Sequence, residues 1–203
     1  MNCKKEIITI KIGSSVLLTD RNKLDEFRIA RIASQIGRLR DRNYGVILVV
    51  SGAVACGSKF TDIRQAAAGV GQVLLISTFH LIFKTQALSI AQILLTQKDL
   101  SLLSRRGKII QIINFYVNVG IVPVINENDV VDLNSFAGND FLSVEVAKIM
   151  GCKKLLIMST MKGSEFGIGG GEAKQKAVEL AGRYGIDARI INGKLKNVLL
   201  EIL

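Results

Sequence analysis

The sequence predicts an α/β protein with a largely parallel sheet between helical layers. Three observations predict it: apolar strand-like runs alternate with helical patterns, most of those runs are continuous rather than alternating, and several end in small or polar residues. The chain has 203 residues, 49% of them hydrophobic. That is enough for one substantial core and cramped for two, so a single domain over residues 1–203 is expected.

The elements follow in order. The first strand, 7–12, finishes at Lys11 and Gly13. Ile29, Ile32, Ile36 and Leu39 then fall on one helical stripe. The second strand, 46–50, runs into Ser51 and Gly52, and an apolar helix covers 65–83. Strands are expected at 88–95 and 121–125, the latter followed by the polar run from Asn126 to Asp129. Leu142, Val146 and Ile149 form a second stripe, and the fifth strand, 155–158, leads into Ser159 and Thr160. A sixth covers 188–191. Open parallel sheets collect ligands at the carboxyl ends of their strands, and four of these six ends carry candidate polar groups.

Composition excludes several classes. Cys3, Cys56 and Cys152 are odd in number and widely spaced, which suits free thiols rather than disulfides or a metal site. The chain runs from Met1 almost directly into a strand, without the parts of a signal peptide. The longest apolar region, 70–83, contains Gln72, Ser77, Thr78 and His80 and is read as too short to span a bilayer, so a cytoplasmic protein with no membrane partner is expected. Net charge is +10, with Arg28, Arg31, Arg38, Arg40 and Arg42 on one predicted helix. No dense basic tract or aromatic RNA signature accompanies them, so a solvated basic face is preferred to a nucleic-acid groove.

Two lysines point to phosphoryl chemistry. Lys11 lies in Thr9-Ile10-Lys11-Ile12-Gly13-Ser14-Ser15, and Lys174 closes Gly167-Ile168-Gly169-Gly170-Gly171-Glu172-Ala173-Lys174. Glycine lets backbone N–H groups approach an anion, and a lysine at the end of such a turn adds a mobile charge. Neither stretch is a Walker A loop.

Six ordered segments then carry a resemblance. Lys11-Ile12-Gly13-Ser14-Ser15-Val16-Leu17, Val50-Ser51-Gly52-Ala53-Val54-Ala55, Gln65-Ala66-Ala67-Ala68-Gly69-Val70-Gly71-Gln72, Ala91-Gln92-Ile93-Leu94-Leu95-Thr96, Val124-Ile125-Asn126-Glu127-Asn128-Asp129 and Gly169-Gly170-Gly171-Glu172-Ala173-Lys174 resemble the signature stretches of glutamate 5-kinase, within the amino acid kinase superfamily. The resemblance covers nearly the whole chain. It implies a three-layer α/β/α sandwich and the first step of proline synthesis, with ATP and L-glutamate as substrates and Mg²⁺ held mainly by the nucleotide phosphates. By resemblance Lys11 and Lys174 grip the phosphates, Asp140 orients both lysines, and backbone amides near Gly13 and Gly52 assist. Ser51, Gly52, Ala53, Asp129 and Asn139 fall at glutamate positions. Gly13, Ser159, Thr160, Gly169, Gly170 and Gly171 join the two lysines on the nucleotide side. Relatives form homo-oligomers, to which the helix at 65–83 could contribute, and proline is a feedback ligand to expect.

Three departures stand against that pattern. Phe136-Ala137-Gly138-Asn139-Asp140 replaces a family Phe-Gly-Asp-Asn-Asp, so Gly138 has lost a carboxylate associated with glutamate. Ser159-Thr160 stands where the family has Thr/Ser-Asp. Only residues 161–166 bridge Thr160 and Gly167, where the family makes a longer excursion walling the adenine pocket. No counterpart of the PUA domain of some relatives is found up to Leu203. These departures motivate an alternative, a catalytically impaired kinase-fold protein that binds an amino acid or a partner.

Overall fold

The computed structural model describes residues 5–160 and 171–203. β1 (Glu6–Ile12) leads through a single turn, α1 (Ser14–Leu17), into α2 (Glu26–Asp41) and back to β2 (Tyr44–Val50). α3 (Ala53–Gly57) and the long α4 (Arg64–Thr85) precede β3 (Ser89–Leu95), which α5 (Gln97–Ser101) and α6 (Leu103–Asn118) connect to β4 (Ile121–Glu127). α7 (Asn139–Ile149), β5 (Lys154–Ser159), α8 (Gly171–Arg183), β6 (Asp187–Asn192) and α9 (Val198–Ile202) complete the described chain.

All six expected strands form one parallel sheet in the order β3-β4-β2-β1-β5-β6. Side chains alternate between its two faces, and this divides the core. Ile8, Ile10, Ile12, Val46, Leu48, Val50, Leu156 and Met158 pack with Ile29, Ile32, Ile36 and Leu39 of α2 and with Leu75, Phe79 and Phe83 of α4. On the other face Ile47, Val49, Ile125, Leu155 and Ile157 pack with Ile113 and Val117 of α6, Leu142 and Val146 of α7, and Ala177 and Ala181 of α8. The result is a three-layer α/β/α sandwich. Continuous apolar runs thus report the four inner strands; β3 and β6 are edges and are largely half-exposed or exposed.

The helix boundaries follow local chemistry. Asp25 caps α2, its carboxylate accepting from Arg28 N at 2.9 Å. Thr96 and Asp99 form a reciprocal capping box at α5. Several of the arginines read as a solvated face serve the structure. Arg28 pairs with Asp25 at 2.8 Å and donates to Val16 O at 2.7 Å, Arg40 donates to Gly120 O at 3.2 Å, and Arg42 lies past the last helical residue.

α4 corrects one expectation. It is 22 residues long and, by length and composition, apolar enough to cross a membrane. Its packed side contributes Leu75, Phe79 and Phe83 to the sheet core, while Val73 and Leu81 face outward. It also crosses α3 backbone to backbone: a Cβ at Gly71 would sit 1.8 Å from Ala53 O, and one at Gly57 would sit 1.9 Å from Ala67 O. Only glycine permits that approach.

Candidate active site

Lys11 is the anomaly in β1. Ile8, Ile10 and Ile12 fill the α2/α4 face, so the strand's period of two turns Lys11 to the other face, toward α7. There it is only 4% exposed. Burial lowers its pKa, Asp140 opposes that shift, and the positive charge of Lys174 adds to it. A buried ammonium persists only beside a partner.

Asp140 is that partner, and it serves two lysines. Its Oδ1 lies 2.6 Å from Lys11 Nζ and its Oδ2 lies 3.5 Å from Lys174 Nζ. Asp140 sits in the first turn of α7, where the helix dipole also favours a negative charge. It does not cap the helix; Gly138 occupies the N-cap position and contributes no side-chain cap. Lys174, read as the tip of a glycine turn, lies instead in the first turn of α8.

The strand ends converge as expected. Lys11, Gly13, Ser51, Gly52, Ala53, Asp129, Asn139, Asp140, Ser159 and Lys174 all line one cleft. Gly13 has an ordinary φ of −71°, and its N–H donates to Met158 O at 3.0 Å. Amides offered to an anion from this turn therefore come from its neighbours. Asp129 accepts from Asn134 N at 3.1 Å. Asn139 opens α7 with its side-chain oxygen buried and without a hydrogen-bond partner among the described residues, an acceptor suited to a ligand N–H. Ser159 Oγ donates to Thr160 O at 3.2 Å, and Thr160 is not among the cleft's lining residues. Gly171 begins α8. Gly169, Gly170 and the short connection at 161–166 lie outside the described residues.

Ser14, Ser15, Arg64, Asn126, Glu127 and Asn134 also line the cleft; the sequence marks the stretches holding Ser14, Ser15, Asn126 and Glu127 but gives none of the six an individual role. Glu127 is the most consequential. The run from Asn126 to Asp129 reads as a polar turn, yet β4 extends two residues beyond the predicted end and carries Glu127 into the interior. Its Oε2 accepts from Phe136 N at 3.3 Å, and the Gly138 N–H also bonds to it. Burial pushes its pKa up to about 7; the two backbone N–H groups oppose this, and Asp129 and Asp132 add to it. The available sequence signal was two carboxylates two residues apart directly after a buried apolar run.

The loop tied down by Glu127 contains the departure at Gly138. Gly138 has φ 111° and ψ 158°, and Ala137 before it has φ 59°. The Gly138 conformation is essentially restricted to glycine. Free thiols hold at two of the three cysteines: Cys56 and Cys152 are buried and unpaired with each other, with burial pushing each thiol up to about 11, while Cys3 lies outside the described residues. Among the described residues no three His, Cys, Asp or Glu side chains cluster to hold a metal.

One buried carboxylate holding two lysines over a convergence of parallel strand ends decides the comparison with known proteins. Residues 6–163 match the amino acid kinase family. The chain belongs to that family. Within it, the chain is 31% identical to glutamate 5-kinase of Clostridium tetani, an alignment covering 97% of this chain and 90% of that protein. It is 33% identical to glutamate 5-kinase of Thermus thermophilus, covering 97% of this chain and 64% of the relative. A third, glutamate 5-kinase 2 of Bacillus licheniformis, is 34% identical, covering 80% of this chain and 47% of its own.

The aligned stretch in the C. tetani relative runs over 240 residues, more than the 203 of this amino acid kinase. Relatives therefore carry additional residues within the matched region. In fold, the chain superposes on UMP kinase of Ureaplasma parvum with a TM-score of 0.66 at 14% identity, covering 98% and 94% of the two chains. Isopentenyl phosphate kinase of T. acidophilum gives 0.66 at 12% identity, covering 97% and 95%. These likenesses establish the fold.

Proposed function

We propose that this glutamate 5-kinase-like protein transfers the γ-phosphoryl group of ATP to the side-chain carboxylate of L-glutamate, giving L-glutamyl 5-phosphate and ADP, the first step of proline biosynthesis. The observation that carries the reading is Asp140 drawing Lys11 and Lys174 to its two oxygens at one end of the cleft. A carboxylate acceptor with an ordinary pKa of about 4.3 is ionised at neutral pH. Its oxygen attacks the γ-phosphorus directly, the new O–P bond forms as the bridge to the β-phosphate breaks, and ADP leaves with the electron pair. No proton moves, so no histidine base is needed. The protein's task is to neutralise spreading charge and to align two anions that repel each other.

Lys11 and Lys174 supply that neutralisation, and Asp140 fixes where each stands. Ser51, Gly52, Ala53, Asn139 and Asp129 line the cleft; in this reading they serve the acceptor, and Asp129 takes the α-ammonium. Ser159, Thr160 and Gly169 to Gly171 belong to the nucleotide side by family position. The donor set fits Mg²⁺ arriving on the nucleotide, because Asp140 is already engaged by two lysines and no carboxylate cage is present among the described residues. When bound, Mg²⁺ supplies further charge neutralisation on the phosphates. Val73 and Leu81 of α4 are exposed; in this reading they meet a second copy of the chain, and proline, itself an α-amino acid, is the feedback ligand.

Incubation with ATP, Mg²⁺, glutamate and hydroxylamine tests the reaction. γ-Glutamyl hydroxamate should accumulate, and Lys174→Ala should reduce it by ~10²-fold or more, the usual cost of removing a preorganised charge. Product no greater than that of the Lys174→Ala control would refute the reaction and favour an impaired kinase fold that only binds.

A further inference from the structure

Resting on the glutamate reading above, we propose that Arg64 is a specificity-determining residue that receives the α-carboxylate of the acceptor, so that the cleft selects an α-amino acid as a zwitterion. Three cations line the cleft among the described residues. Lys11 and Lys174 are held at the phosphoryl end by Asp140. Arg64 stands apart as the first residue of α4, with no acidic residue in that helix's first turn and no ion pair of its own among the described residues.

Asp129 lines the same cleft, and Arg64 is near enough to favour its ionised form although burial is the larger influence and acts the other way. Both line the cleft, and no ion pair joins them among the described residues. An α-carboxylate and an α-ammonium share one carbon, so recognising both takes a cation and an anion on either side of a single small gap. Arg64 and Asp129 provide them. A guanidinium is suited to one arm of the task because its fork of N–H donors matches both oxygens of a carboxylate.

With glycine at 138 the family carboxylate associated with glutamate is absent, and its backbone conformation bars ready replacement, which leaves Asp129 as the cleft carboxylate that senses Arg64. The cleft lining thus carries two kinds of charged group, the lysines held on Asp140 and the Arg64/Asp129 couple, together with the polar Ser51 and Asn139.

The test changes both residue and ligand. L-Glutamate and 4-aminobutyrate differ only by the α-carboxylate, and calorimetry measures each against the wild type, Arg64→Ala and Arg64→Lys. The wild type should bind glutamate ~10-fold or more tighter than 4-aminobutyrate, in line with a charged hydrogen-bonded contact. Arg64→Ala should erase that difference by weakening glutamate alone, and Arg64→Lys should restore part of it. In turnover the loss should fall on KM for glutamate rather than on kcat. Equal weakening of both ligands by Arg64→Ala, or weakening of neither, overturns the proposal. Hydroxamate formation by the wild type separates the two failures: product with undiminished glutamate affinity in Arg64→Ala sinks the role of Arg64 only, whereas absence of both product and glutamate binding sinks the glutamate reading with it.

Discussion

The two ends of the cleft are built differently. At the end proposed for phosphoryl transfer, the buried Lys11 of β1 and the half-buried Lys174 of α8 meet on the buried Asp140 of α7, each carried by a regular element packed into the core. At the end proposed for the acceptor, Asp129 and Gly138 lie on the irregular connection between β4 and α7, and Arg64 is exposed at a helix start. Of the two departures among the described residues, Gly138 falls at this second end and Ser159-Thr160 at the close of β5. Transfer chemistry tolerates little displacement because every partner is desolvated, whereas an acceptor subsite changes its ligand by altering one loop residue.

Breaking the rigid end should have the largest effect. Asp140→Ala leaves the buried Lys11 without its carboxylate and removes one ion pair from the half-buried Lys174, and should lower turnover by ~10²-fold or more and cost about 3–5 kcal/mol of stability. Denaturant titration and hydroxamate yield read the two losses separately. Gly71→Ala attacks the scaffold of the acceptor end, because its Cβ would strike Ala53 O beside the cleft. Chemical unfolding should show a loss of about 3 kcal/mol, at the upper end of ordinary overpacking, with glutamate KM rising more than ATP KM.

Glu127 sharpens the comparison through pH. Its folded pKa of about 7 lies above the ordinary value of 4.5, so the folded state holds the extra proton between those limits. The contribution of this group to stability is fully present below about pH 4.5 and is lost as pH rises through 7, by about 3 kcal/mol in total. Glu127→Gln should flatten that part of the stability profile, measured as unfolding free energy from pH 4.5 to 8. An unchanged profile would show that Glu127 titrates normally. The smallest effect is expected at Gly138: replacing it with alanine puts a Cβ on a backbone conformation that costs about 1–3 kcal/mol, even though the space beside it is open. Thermal melts of Gly138→Ala against wild type check it.

Much of this arrangement is legible before any coordinates. A lysine inside Ile-Thr-Ile-Lys-Ile stands out because a strand covered on both faces has no ordinary use for a charge, and ordered segments supply Asp140 and Lys174 by resemblance. The inner strands announce themselves for the same reason. What stayed hidden depended on direction rather than composition. Glu127 belongs to a strand that continues past its apolar run, and Arg64 reads as another scattered surface charge until α4 is laid beside β4. The start of α8 was obscured by consecutive glycines, which carry no side chains to reveal where a helical stripe begins.

The triad at positions 11, 140 and 174 also couples competence to synthesis. A growing polypeptide acquires its first lysine of the three early, but it has nothing to neutralise that charge until position 140, and it lacks the second until position 174. No ribosome-bound fragment short of that point can bring the three charges together, so the proposed grip on phosphate is a late event that needs β1, α7 and the start of α8 in place, with β6 still to follow.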